Sequence, residues 1–242
     1  LNYFNMVIVT TVYNCKNYLP LCINSMRSQT FTDFTCYLTD DLSTDDSVKE
    51  IESLIEGDNR FKLIKNNTKF YQPGNYDQVI RNNSDIDDNE VIVEIDGDDW
   101  LPDRNVLKRI NDYYLDQNIW IANGSFKYHN GALGFSSPQQ NFDDLRNSRF
   151  TASHIRTWRA FLWRKILVKD LKDENGVYWR ISGDLSFMFP MLEMSGLEHY
   201  KFMPEINYVY NGGNPLNDHK VDIILVGEIA DKIRKKEKYN KL

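Results

Sequence analysis

The chain has 242 residues, 41% of them hydrophobic and 26% charged, and a formal net charge of -6. Those proportions suit a globular chain with a sizeable core, as one large domain or two small ones, and the acidic balance excludes nonspecific nucleic-acid binding through a basic surface. The sequence contains no apolar run of membrane-spanning length and opens on no signal peptide, and Cys15, Cys22 and Cys36 lack metal-site spacing, which reads as reduced thiols of a cytoplasmic protein.

Met6 to Val12 is an apolar, β-rich run that closes on Tyr13-Asn14. Leu19, Cys22, Ile23 and Met26 then repeat at helical spacing, with Pro20 in the first turn. Phe34 to Leu38 predicts a second strand ending in Asp40-Asp41, and Ser43-Thr44-Asp45-Asp46 has capping-box form before the helical Val48, Ile51, Leu54 and Ile55. Phe61 to Ile64 is a third strand. A polar loop with Pro73-Gly74 leads into a helix near Val79-Ile80, and the run from Val91 is the fourth strand. The alternation predicts a parallel sheet covered by helices, with ligands outside the carboxyl ends of the strands.

Beyond Trp100, Val106, Leu107, Ile110 and Tyr114 mark a helix, Ile119 to Asn123 a strand, and Phe126 to Leu133 a hairpin turned at Asn130-Gly131. Residues 136–150 read as a polar loop. Trp158, Arg159, Trp163 and Trp179 either offer stacking faces to a bound molecule or pack between helices. Gly183-Asp184 opens a helix that Pro190 should kink, and Ile206 to Tyr210 is a last strand. Leu225, Ile229 and Ile233 line one face of a basic terminal helix, which either docks on the domain or lies on a membrane surface as a peripheral contact. The chain begins with Leu rather than Met, as expected of a trimmed or excised piece.

Chemistry concentrates where the fourth strand runs into Asp96-Gly97-Asp98-Asp99. Carboxylates so close repel unless a positive group sits between them, and a hard divalent cation is the natural occupant. Gly97 is expected to let a ligand approach the backbone. A plain polar turn is the rival reading. An EF-hand loop is excluded, because Leu101 and Leu107 stand where its glycine and closing glutamate belong.

Taken together, Val7 to Asn14, Ser28 to Phe34, Asp40-Asp41-Leu42-Ser43-Thr44-Asp45, Asp96-Gly97-Asp98-Asp99 and Gly183-Asp184 resemble glycosyltransferase family 2, inverting enzymes of the GT-A fold. The resemblance covers most of residues 4–220. It implies an α/β, Rossmann-like, mostly parallel central sheet flanked by helices in a single domain over 1–242, with a nucleotide-sugar half (1–100), an acceptor half (101–220) and the terminal helix (221–242).

The same resemblance implies a donor that is a nucleotide-diphosphate sugar, with UDP the expected carrier, a glycan or other hydroxyl acceptor, and Mn²⁺ or Mg²⁺ as cofactor. It places Tyr13 on the base, Thr11 beside it and Asp41 on the imino N–H. Asp96 and Asp98 would contact the donor, Asp98, Asp99 and His219 would hold the metal, and Asp184 would be the general base. Each has a structural alternative: Tyr13 a core aromatic, Asp41 or Asp184 a helix cap, His219 a lone surface histidine. Leu42 departs from the family glycine, and Gly183 from the glutamate that commonly precedes the base. The rival functions are a nucleotidyltransferase of related fold and an inactive nucleotide-sugar or glycan binder.

Overall fold

The structure is a computed structural model that describes residues 5–217, 220 and 222–242. Seven strands form one sheet: β1 (Met6–Val12), β2 (Phe34–Asp40), β3 (Phe61–Lys65), β4 (Val91–Glu94), β5 (Ile121–Tyr128), β6 (Arg156–Arg159) and β7 (Tyr200–Tyr210), in the order β3-β2-β1-β4-β6-β5-β7. β1 pairs in parallel with β2 on one side and β4 on the other, and β2 with β3. β6 runs antiparallel between β4 and β5, while β5 and β7 are parallel. The chain therefore reverses its winding between β1 and β4, which opens a crevice at their carboxyl ends.

The β1 side chains alternate between two apolar layers, as the period of a strand requires. Met6 and Ile8 join α1 (Leu19–Arg27), α2 (Ser47–Ile55) and α4 (Val106–Tyr114) on one face. Val7 and Val9 face α3 (Tyr71–Arg81), α5 (Ala160–Lys165) and α6 (Gly183–Ser195) on the other. Trp158, Trp163, Tyr76 and Phe187 form the aromatic centre of that second layer. Arg159 is buried with its guanidinium on the carbonyls of Ile119, Asn89 and Tyr114, and Trp179 donates to the Asp170 carbonyl. These side chains pack the core rather than shape an acceptor surface.

Three local expectations need correction. Pro73-Gly74 is not a loop but the first turn of α3, where a proline lacks an N–H that would be unsatisfied anyway. The strand expected over Ile119 to Asn123 spans Ile121–Tyr128, and the Asn130-Gly131 turn returns through the Lys127–Leu133 bridge, closed by the Tyr128 N–H on the Ala132 carbonyl and the Gly134 N–H on the Phe126 carbonyl. Pro190 lies inside α6, which stays one helix because nearly every side of it is buried.

The terminal helix, α7 (Ile223–Arg234), docks through its second half. Ile233 is buried, and the buried Arg146 joins Glu193 to the Ile233 and Lys236 carbonyls. The three cysteines are free and buried. Among the described residues, no helix is long and apolar enough to cross a membrane.

Candidate active site

A cleft of about 610 Å³ opens at the carboxyl ends of β1, β2 and β4. Thr11, Tyr13, Asp41, Asp96 and Asp98 all line it, together with Lys69, Gln72, Arg180, Tyr210 and Asn214. Asp99 and Asp184 are not among the lining residues, and His219 lies outside the described residues.

The end of the cleft beside β1 and β2 is built by two cross-linked turns. Asn14, at φ +52°, accepts hydrogen bonds from the Thr44 and Asp45 N–H groups, while its own N–H donates to Ser43. Leu42 takes the left-handed conformation, φ +62°, that the family glycine would adopt freely. Asp41 is buried, and its carboxylate accepts from Asn66 at 2.9 Å and from the N–H groups of Phe70 and Tyr71 at 2.8 and 3.0 Å. It does not cap α2, whose Ser47 N–H is held by Asp45. Tyr13 is 42% exposed, too open for a core aromatic, and the Lys69 ammonium sits 3.1 Å from its ring centre. Burial pushes the Lys69 amine below its usual range.

The acidic end hangs from β4. Thr11 donates to Asp96 at 3.1 Å, and Gln72 donates to Glu94 at 3.1 Å and Asp96 at 3.4 Å. Asn214, on the segment after β7, donates to Asp98 at 2.7 Å. Asp99 is buried behind this wall and accepts from the Asn211 N–H at 2.6 Å, which fixes the start of that segment. Its second oxygen is buried without a partner. The space at Gly97 is filled by β1 rather than by a ligand, because a Cβ there would lie 2.9 Å from the Thr11 carbonyl oxygen.

Burial, then the charge of Asp98, raises the Asp96 carboxyl to about 6. Burial raises Glu94 to about 8, against the opposing pull of Arg156. Asp98 is pushed up, and Asp99 strongly so, by burial above all. Crowded carboxyls whose charged form is disfavoured by burial and by one another mark a place where a cation is favoured. Glu94, Asp96 and His154 also bring potential ligand atoms within 4.8 Å of one another. Arg156 pairs with one Glu94 oxygen there, and the other Glu94 oxygen is buried without a partner.

Asp184 begins α6, and its carboxylate meets Arg156 at 2.6 Å. Gly183 is required by packing: a Cβ would lie 2.7 Å from Pro73 of α3, so the family glutamate does not fit. Glu94, Gln72 and Arg156 escaped the sequence reading. A glutamate inside the apolar run Val91 to Ile95 was the available signal, since a buried charge needs a partner.

A family model, Glycosyl transferase family 2, matches residues 7–179. The chain is 25% identical over 184 residues to the "Putative glycosyltransferase EpsH" of Bacillus subtilis (strain 168), covering 74% of this chain and 51% of the relative. An "Uncharacterized glycosyltransferase" of Haemophilus influenzae is 28% identical over 123 residues, covering 50% of this chain and 46% of its own length. The chain thus spans about half the length of the curated relatives it matches.

Among solved structures, S. aureus TarS 1-349 in complex with UDP-GlcNAc has a TM-score of 0.65 at 18% identity, over 90% of this chain and 61% of that one. Mannosyltransferase PcManGT from Pyrobaculum calidifontis, in complex with GDP-Man and Mn²⁺, has a TM-score of 0.60 at 13% identity, over 98% and 66%. The sheet and its flanking helices are those of the GT-A fold. With the family match running from β1 to the residues just before α6, the chain belongs to glycosyltransferase family 2.

Proposed function

We propose that the chain moves a sugar from a UDP-sugar to the hydroxyl of a glycan or similar acceptor, inverting the anomeric carbon, with Mn²⁺ or Mg²⁺ at the diphosphate. The observation that carries this reading is the gathering of Thr11, Tyr13, Asp41, Asp96 and Asp98 around one cleft at the strand ends. Complexes of similarly folded proteins with UDP-GlcNAc, and with GDP-Man and Mn²⁺, support a nucleotide-sugar donor and a divalent ion.

Tyr13 offers its ring to the base, which takes the place of the Lys69 ammonium or uses the opposite face. Asp41 already accepts three hydrogen bonds. A carboxylate has about four acceptor positions; the Lys69 ammonium approaches the fourth at 3.8 Å, and the imino N–H of uracil would take its place. Asp96 and Asp98 supply hard oxygen ligands at the cleft wall, as a small divalent cation requires. When bound, such an ion offsets the charge that builds on the leaving diphosphate. Asp99 orients Asn211, and through it the segment whose Asn214 reaches Asp98.

Asp184 is the proposed general base. Its Oδ2 is held by Arg156, and its side chain keeps 26% exposure. The acceptor oxygen bonds to the anomeric carbon as its proton passes to this carboxylate. The bond from that carbon to the diphosphate oxygen breaks on the opposite face, and UDP leaves.

Calorimetry with UDP tests the reading. Binding should strengthen at least tenfold with Mn²⁺ over EDTA, worth about 1.4 kcal/mol. Asp98→Asn should abolish most of that gain without lowering the melting temperature. Equal UDP affinity with and without metal, or tighter binding of GDP than of UDP, would sink the donor assignment.

A further inference from the structure

Asp184 is connected to the donor side of the site through one buried side chain. Arg156, on β6, donates from Nη2 to Asp184 Oδ2 at 2.6 Å and from Nη1 to Glu94 Oε1 at 2.6 Å. Its Nε donates to the Ala152 carbonyl at 3.2 Å. The Arg156 side chain is only 5% exposed, and it does not line the cleft. Glu94 in turn shares the Gln72 amide with Asp96. A chain of polar contacts thus runs from the cleft wall on β4, through β6, to the first turn of α6.

The geometry points to Arg156 as a positioning residue for Asp184: its fork, anchored on Glu94, sets where the base sits relative to the donor. The inference rests on Asp184 being the base. A guanidinium is planar and presents its donors at fixed angles, so anchoring one arm aims the other. It stays charged and accepts no proton, so it does not compete for the one Asp184 removes. Without the second arm, the short Asp184 side chain, 26% exposed, is free to change rotamer. A shift of about 1 Å in a reacting group costs on the order of 10²-fold in rate. Because Arg156 is behind the cleft wall, that loss falls on turnover and not on donor binding.

The test uses the whole chain, with UDP release from a panel of UDP-sugars and water as the acceptor. Arg156→Lys keeps the charge and the fold but cannot reach both carboxylates, and Arg156→Met removes both arms. We expect kcat to fall about 10–10²-fold in the first and about 10²-fold or more in the second, with KM and UDP affinity within about twofold of wild type. Adding Arg156→Lys to Asp184→Asn should cost nothing further, since the positioned group is already disabled. A crystal structure of Arg156→Lys gives a readout independent of turnover, with the Asp184 carboxylate displaced by about 1 Å.

The inference is overturned if kcat stays within threefold of wild type in both variants, if the double variant loses the product of the single losses, or if the carboxylate stays in place. A fall in UDP affinity matching the fall in kcat assigns Arg156 to general structure and also overturns it. Near-normal turnover by Asp184→Asn instead removes the base reading itself, a result separable from any of these.

Discussion

Leu42 stands at φ +62°, beside the cleft residue Asp41. A side chain in the left-handed region costs about 1–2 kcal/mol. Asn14, Tyr71 and Ser182 hold the same sign of φ, next to Tyr13 or Ile181 or lining the cleft themselves. Strain of this kind persists where surrounding contacts over-determine the backbone. Leu42 is 38% exposed, so little burial is lost on shortening it. Leu42→Gly should therefore leave stability unchanged or raise it by up to about 1 kcal/mol, the relief offset in part by unfolded-chain entropy. Leu42→Val should lower stability by about 1–2 kcal/mol, because a β-branched side chain fits that conformation worst. Chemical denaturation reads both changes, and a glycine variant less stable than the valine one would refute the account.

At the scale of elements, the contact between α3 and α6 decides how the two halves of the site meet. α3 carries Gln72 and α6 carries Asp184, and their first turns touch where Gly183 faces Pro73. The proline ring is rigid, so a Cβ only 2.7 Å away forces the helices apart. Gly183→Ala should destabilise by about 1–3 kcal/mol, the usual range for overpacking. Turnover should fall further than stability alone explains, since Asp184 moves away from the β4 carboxylates. UDP affinity should fall less than turnover, because Tyr13 and Asp41 follow β1 and β2, and of the two Asp41 is tied to the start of α3 through the Phe70 and Tyr71 N–H groups. An alanine variant with wild-type stability and rate would show that the helices yield without cost.

Across the whole molecule, the carboxylates at and below the cleft wall form an acidic centre around one buried guanidinium. Arg156 faces Glu94, Asp96 and Asp184 together. In the native chain Glu94 and Asp96 are raised to about 8 and about 6, above their ordinary values of 4.5 and 3.8. The native state therefore holds protons that the unfolded chain has released. Their stabilising contribution is complete below about pH 4 and is lost as pH rises through 6 and then 8. In EDTA, the melting temperature should fall by about 3 °C or more between pH 5.5 and pH 8. Mn²⁺ should restore it, more at pH 8 than at pH 5.5, because an ion bound only by the folded state stabilises it and competes with those protons. Scanning calorimetry at both pH values checks this, and a metal-free protein more stable at pH 8 would contradict it.

Much of the cleft at the ends of β1, β2 and β4 was legible in the chain because it depends on local properties. Strand periodicity marks where β1, β2 and β4 end, and an α/β sheet gathers those ends, so Thr11, Tyr13, Asp41, Asp96 and Asp98 were expected together and line one cleft. Other features depend on which distant groups the sheet order brings side by side. Glu94 meets Arg156 because β6 inserts antiparallel against β4, and Arg156 meets Asp184 across the start of α6. Gly97 makes room for β1 and Gly183 for α3, which spacing alone does not reveal. Trp158 and Trp163 carried both readings, acceptor platform or core, because an aromatic ring serves either use equally well by type. Their complete burial beside Tyr76 decided it, since burial belongs to the packed layer and not to the residue.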